Sequence, residues 1–198
     1  MSNKPAKKID PFQIFIHADG FYKADHILSN IDFNTDPQLA TEIGQASMVL
    51  EALNSELFLK CLICIETGRV PRGHNLHSLF KQLKPQTRRR IEHIWDTELV
   101  PHRNSMWVKI ENSFGDGRKI ARDLTSALAG GSTAFEKIRY SYEDDNEEVQ
   151  FYIGDLPQIL GRVILEMKPE WRNRRRRVQE VAGADPAPSQ GRPQTEKS

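Results

Sequence analysis

Two cysteines and two histidines lie close together in the sequence, at spacings that zinc sites use. Cys61 and Cys64 are separated by two residues, and so are His74 and His77. Two thiolates and two imidazoles can form a closed tetrahedral zinc site. However, both cysteines lie on the apolar stripe of a predicted helix, and Cys61 precedes the end of that helix by roughly 10 Å at about 1.5 Å per residue. We therefore predict core thiols, with no metal and no other cofactor.

A charged pair lies within the same apolar helix. Glu56 precedes Lys60 by one turn, and an acid placed before a base is the favourable order for a helical ion pair. Two interpretations are open. The pair is either partly exposed and weakly stabilising, or semi-buried and able to orient the loop from Gly73 to His77. Under both interpretations Glu56 and Lys60 form a structural polar pair.

Two groups of residues near the end of the chain have the composition of a binding surface. Arg139 lies beside Tyr140 and Tyr142, and a cation next to aromatic rings is suited to stacking on bases or contacting phosphates. The arginine run that includes Arg174 and Arg175 is suited to RNA phosphates or to an acidic protein surface. The structural alternatives are a contact that fastens a hairpin to the core, for the first group, and a solvated helix end, for the second.

Apolar spacing predicts the helices that position these residues. The first helix runs from Phe12 to Leu28. The second begins at Asp36 and Pro37, an N-cap followed by a favourable first residue, and continues to Gly68, which is a natural stop. A short helix with the sequence HSLFKQL follows and ends before Pro85. The last two helices therefore form a hairpin around the histidine-rich loop.

Prolines, glycines and capping residues divide the second half of the chain into further helices. One apolar face covers Gln86 to Val100, which predicts another helix. The predicted helix ends are Pro101, Gly130, Gly131 and Pro169, and the predicted helix starts are Thr133 and Asp155. Two aromatic segments around a polar turn predict a small β-hairpin from Tyr142 to Ile153.

Composition indicates one domain and a tail. We assign residues 1–170 to the domain and residues 171–198, rich in arginine and then in proline, glycine and alanine, to a disordered tail. The 28 basic and 27 acidic residues nearly balance, so only local patches can attract nucleic acid or an anionic membrane. No apolar run has the length of a membrane span or of a signal peptide. We expect a soluble cytoplasmic protein that does not bind membranes.

Three stretches together resemble the HEPN superfamily of small helical domains. They are LNSELFLKCLI at residues 53–63, GHNLHSL at residues 73–79 and FEKIRYSYE at residues 135–143. Members of this type often have a Glu and a Lys four residues apart in an apolar helix, then a glycine, a GH-x-L helix start and an RY-x-YE stretch. The resemblance covers roughly residues 12–167 and implies an antiparallel bundle of four to five main helices that usually forms a homodimer.

In catalytic members of this superfamily, the resemblance also implies a metal-independent ribonuclease with an arginine four to six residues before a histidine. The histidine acts as general base on a ribose hydroxyl, and the arginine stabilises the phosphate of the transition state. Arg72 with His77 is the first candidate pair, and Arg69 with His74 is the second. The family motif lies at the last core helix, where this chain has Arg162 and no later histidine. Both histidines have a structural alternative, which is to cap backbone groups or pack on the preceding helix.

The sequence therefore predicts an all-α domain with a β-hairpin insertion and a tail. Its expected function is to bind RNA or a protein without catalysis, in stress or phage defence as the resemblance implies. One alternative is a metal-independent endoribonuclease with an Arg/His pair at a dimer interface and Arg139 as an anion contact. The other alternative is a dimeric adaptor with no role in RNA binding.

Overall fold

The computed structural model describes residues 9–29, 37–113, 117, 119–139 and 155–175. The regular structure within these ranges is helical throughout, which confirms the predicted all-α class. The helices are α1 (Pro11–Ser29), α2 (Pro37–Thr67), α3 (Leu76–Gln82), α4 (Pro85–Ile94), α5 (Val100–Ser113), α6 (Leu124–Arg139) and α7 (Leu156–Met167). A π turn (Trp95–Leu99) joins α4 to α5. The predicted β-hairpin lies outside the described residues.

Helix α2 is the central element of the fold. Its 31 residues pack against α1, α3, α6 and α7, and the contact with α1 is the most extensive. The apolar spacing of α2 explains this position, because it buries side chains on several sides of the helix. The fully buried side chains of α2 include Phe58, Leu59, Cys61 and Leu62. None of the described helices is both long enough and apolar enough to cross a membrane.

The chain continues as a helix through Pro101, so the prediction that this proline ends a helix is wrong. Immediately before it, the Val100 N–H donates to the carbonyl of Trp95, five residues back, and α5 then runs to Ser113. Proline lacks an N–H and clashes with the carbonyl four residues before it in a regular α-helix. The wider π turn accommodates that residue, because its hydrogen bonds follow a different spacing.

Helix α6 likewise continues through the predicted stop at Gly130 and Gly131, and Thr133 does not begin a new helix. Glycine disfavours a helix interior by about 1 kcal/mol relative to alanine, which is a weak preference that packing can override. In α6 the packing is against α2 and α3, and it buries Ala127 and Leu128. Packing against α2 and α3 therefore explains why the helix continues through the two glycines.

The chain after α7 returns to α1. Trp171 is buried, and its ring lies 5.3 Å from the ring of Phe12 and 5.5 Å from the ring of Phe15, measured between centroids. Residues 171–175, which composition placed in the tail, form a helical turn against α1. The folded part of the chain thus includes the first arginines of the basic run, because Trp171 anchors them.

Candidate functional site

A polar group of three side chains joins α2 to the loop before α3. The Lys60 Nζ lies 2.8 Å from a carboxylate oxygen of Glu56, and the Nδ1 of His74 lies 3.1 Å from both oxygens of that carboxylate. The side chains of Glu56 and Lys60 are only 12% and 13% exposed, whereas that of His74 is 84% exposed. The ion pair is therefore semi-buried, and it holds an exposed histidine of the loop.

The backbone of this loop has a defined conformation for local reasons. Gly68 and Gly73 have positive φ angles of 74° and 93°, a region that favours glycine. Asn75 caps α3, since its side-chain oxygen accepts a hydrogen bond of 2.8 Å from the Ser78 N–H. The Arg69 N–H donates to the hydroxyl of Thr67 at 3.2 Å. These bonds fix the backbone at the two ends of the loop that carries the basic side chains.

The two residues of the first predicted catalytic pair have different surroundings. Arg72 is exposed in the loop, while His77 is half-buried in the first turn of α3, where its N–H donates to the Ser132 hydroxyl at 3.4 Å. Within the described residues, no hydrogen bond or ion pair joins Arg72 to His77. The second predicted pair differs, because His74 contacts Glu56 while Arg69 is exposed.

The start of α4 is bound near the C-terminal end of α2, at Glu66, ten residues after Glu56. One carboxylate oxygen of Glu66 accepts a hydrogen bond of 2.8 Å from the Lys84 N–H, and the other accepts one of 2.5 Å from the Thr87 hydroxyl. The backbone of Lys84, whose side chain is exposed, therefore lies close to the end of α2 from which the loop leaves. We call the group formed by Arg69, Arg72, His74 and Lys84 the basic surface.

The arginines of the final turn have carboxylate partners. The guanidinium of Arg174 lies 2.8 Å from Asp10 and 3.8 Å from the centre of the Phe12 ring, and that of Arg175 lies 2.6 Å from Asp19. Their charges therefore hold the final turn on α1. The Arg139 side chain, Tyr140 and Tyr142, which were predicted as binding residues, lie outside the described part of the structure.

The two cysteines are free, buried thiols within the core. The Cys61 thiol donates to the Pro11 carbonyl at 3.3 Å, and burial raises the pKa of Cys61 and also that of Cys64. The described residues contain no group of three or more side chains that could hold a metal ion. The Cys61 thiol thus contacts the start of α1, the Cys64 thiol is buried, and His74 contacts a carboxylate.

A cavity of about 360 Å³, which the sequence did not predict, lies between the π turn, the start of α5 and α7. Its polar lining includes His102, Arg103, Gln158 and Arg162. His102 and Arg103 follow Pro101 directly. Because the sequence predicts that a helix ends at this proline, it gave no reason to place these two side chains beside α7. The available signal was the sequence Pro-His-Arg, which places an imidazole and a guanidinium at the start of α5.

A partly buried acid of α2 lies near this cavity. The pKa of Glu51 is raised to about 8, chiefly by burial and also by the negative charges of Asp25 and Asp155, while the positive charge of Arg103 acts to lower it. Arg103 and Asp155 both line the cavity. Shifted carboxyl groups beside a cavity occur often at functional sites, although structural ion-pair networks also produce them.

Comparisons with protein-family models, with curated proteins and with solved structures gave no match to this chain. The support for a function therefore comes from its residues and their geometry. Two regions supply that support, namely the basic surface and the cavity beside the π turn.

Proposed function

We propose that this protein is a HEPN-like, non-catalytic module that binds RNA through the basic surface. The supporting observation is that Arg69 and Arg72 are exposed on a loop that the Glu56 carboxylate holds through His74. Contacts to RNA phosphates require accessible cations in a defined arrangement, and they do not require a catalytic pair. The loop meets that requirement with its own side chains.

The charges elsewhere on the molecule favour this location. The chain has a formal net charge of +1, so its overall field attracts RNA very weakly. Arg174 and Arg175 are already bound to Asp10 and Asp19, and among the described residues no carboxylate lies within ion-pair distance of Arg69 or Arg72. The proposal includes an antiparallel bundle that forms a homodimer, and a role in stress or phage defence, as the resemblance implies.

The test is the affinity for a single-stranded RNA oligonucleotide, measured by fluorescence anisotropy at several salt concentrations. We expect the double variant Arg69→Gln/Arg72→Gln to bind roughly tenfold or more weakly, with a salt slope smaller by about one to two. Arg172→Gln is the matched control, because it removes an exposed arginine of the final turn and leaves the basic surface intact. Unchanged affinity and slope in the double variant would reject RNA binding at this surface and leave the protein-adaptor alternative.

The contact between Glu56 and His74 favours ribonuclease activity as the second candidate function. A carboxylate bound to one ring nitrogen orients an imidazole, so that the other nitrogen can act as a general base. Purified protein incubated with mixed cellular RNA, with and without EDTA, separates the two functions. The binding proposal predicts intact RNA. Cleavage that survives EDTA and is lost in His74→Gln, but not in His77→Gln, would establish the ribonuclease instead.

A further inference from the structure

The cavity beside the π turn has an apolar floor and a polar mouth. Ile94, Leu99 and Ile159 form the floor and are nearly inaccessible to solvent. Exposed side chains, among them His102 and Gln158, line the mouth. A volume of about 360 Å³ lies within the usual range for small-molecule sites, which combine an apolar lining with a few polar groups.

The π turn contributes directly to this cavity. Glu98 and Leu99 are its last two residues, and both line the cavity. His102 lies one turn further along the same chain, at the start of α5. Single π turns within helices are rare and frequently occur at functional sites. The cavity is lined from both sides of Pro101, by residues of the π turn and by residues at the start of α5.

The charges around the cavity nearly cancel. The Arg103 guanidinium binds both carboxylate oxygens of Asp155, at 2.6 and 2.9 Å. Arg162 donates through Nη1 to Glu98 at 2.6 Å and through Nε to Glu166 at 3.2 Å. A doubly charged phosphate would therefore meet nearby carboxylates as well as guanidinium groups. A singly charged head group meets less repulsion and can accept hydrogen bonds from the remaining donors.

Three side chains supply those donors. The Nη2 of Arg162 takes part in none of its described bonds to Glu98 and Glu166. The imidazole of His102 and the amide of Gln158 are exposed at the mouth and can donate hydrogen bonds in the same region. A carboxylate on the ligand can accept bonds from these groups, while an apolar body covers the floor.

We propose that this cavity binds a small organic monocarboxylate with an apolar body. The body occupies the space above Ile94, Leu99 and Ile159, which expose only a few per cent of their surface, and the carboxylate accepts hydrogen bonds from Arg162 and His102. This site is separate from the basic surface, so a monocarboxylate and RNA do not compete for the protein.

The test is calorimetric titration of the full chain with naphthoate, an aromatic monocarboxylate. Naphthamide has the same body without the charge, and naphthyl phosphate has the same body with a doubly charged head. We expect naphthoate to bind more tightly than both, and Arg162→Gln to weaken it by roughly tenfold. The matched control is Arg90→Gln, which also removes an ion pair with Glu166 but does not line the cavity.

A second variant tests the position of the ligand. Gln158→Trp places a bulky ring at the mouth from an exposed position, so it should abolish naphthoate binding while the thermal unfolding midpoint stays near that of the wild type. The proposal is overturned by any of four results: no heat of binding with naphthoate at millimolar concentration, equal affinity for naphthamide, tighter binding of naphthyl phosphate, or unchanged binding in Gln158→Trp. Displacement of naphthoate by the RNA oligonucleotide would assign the cavity to RNA and would also overturn it.

Discussion

Arginine has different surroundings in two regions of this protein. Near α7 and the final turn, each of five arginines forms an ion pair with a carboxylate: Arg90, Arg103, Arg162, Arg174 and Arg175. On the basic surface, Arg69 and Arg72 are exposed and have no such partner in the part of the chain that the structure describes. The same residue type therefore fastens helices together in one region and leaves its charge accessible in the other.

This difference shows why the number of arginines is a poor guide to binding. In the densest run of arginine, Arg174 and Arg175 are paired with Asp10 and Asp19 while Arg172 is exposed, whereas the loop with only two arginines keeps both accessible. An ion pair within the protein reduces the charge that a phosphate can use.

Trp171→Ala should have the largest effect. Removing a buried aromatic side chain of this size lowers the free energy of unfolding by about 3 to 5 kcal/mol, because it loses contacts with Phe12 and Phe15 and leaves a cavity. Denaturation with urea measures the change. Arg172→Ala, an exposed neighbour, should stay within about 0.5 kcal/mol of the wild type. Equal effects of the two substitutions would contradict the anchoring role of Trp171.

Glu51 should make stability fall as the pH rises. Its pKa is raised from the usual value of 4.5 to about 8, so between these values the folded protein holds a proton that the unfolded chain has released. The stabilisation is fully present below about pH 4.5 and is lost by about pH 8, a change of roughly 2 to 4 kcal/mol once partial exposure is allowed for.

Glu51→Gln should remove this pH dependence, whereas Glu92→Gln, at an exposed position, should keep it. Urea denaturation at several pH values between 5 and 9 distinguishes the two variants. An unchanged slope in Glu51→Gln would show that the pH dependence does not come from Glu51 and would contradict the prediction.

Glu56→Gln should lower the free energy of unfolding by about 1 to 2 kcal/mol, since it leaves Lys60 semi-buried without its charge partner. A double-mutant cycle with Lys60→Gln measures the coupling between the two charges by urea denaturation. Glu42→Gln is a control in the same helix, where an exposed carboxylate accepts a hydrogen bond from Gln38. A coupling energy near zero would mean that the pair is no stronger than a surface pair.

Arg69→Gln/Arg72→Gln should have the smallest effect on stability, within about 0.5 kcal/mol, because the exposed guanidinium groups lose no ion pair within the described residues. Thermal unfolding and urea denaturation measure this. Arg103→Gln should cost more, since it leaves Asp155 without its bidentate partner. If the loop variant and Arg103→Gln lowered the free energy of unfolding by similar amounts, the distinction between arginines with an accessible charge and arginines paired with a carboxylate would not hold.

The sequence predicted those helices in which apolar spacing and stop residues agree. Helices α1, α2, α3 and α7 lie within two residues of their predicted limits, where these limits are described. Pro101 and the pair Gly130 and Gly131 misled the prediction, because local preferences of a few kcal/mol or less were outweighed by a π turn and by packing. Such compensation depends on neighbours that are distant in the sequence.

The candidate site was predictable to a smaller extent. The four-residue spacing of Glu56 and Lys60 singled them out, but the spacing alone left open whether the pair was exposed. The contact of Glu56 with His74 joins residues 18 positions apart and depends on how the loop turns back on α2. The cavity was harder to predict, because His102 and Arg162 come together only when α5 and α7 are placed beside each other.

The buried thiols have a practical consequence for labelling. Because burial raises the pKa of Cys61 and Cys64, little reactive thiolate is present near neutral pH, and neither sulfur is accessible to a bulky reagent. A cysteine introduced at an exposed loop position such as Arg72 would therefore react selectively with a maleimide dye in the otherwise natural chain. The native cysteines can stay in place, and the core packing remains intact while fluorescence reports on the loop.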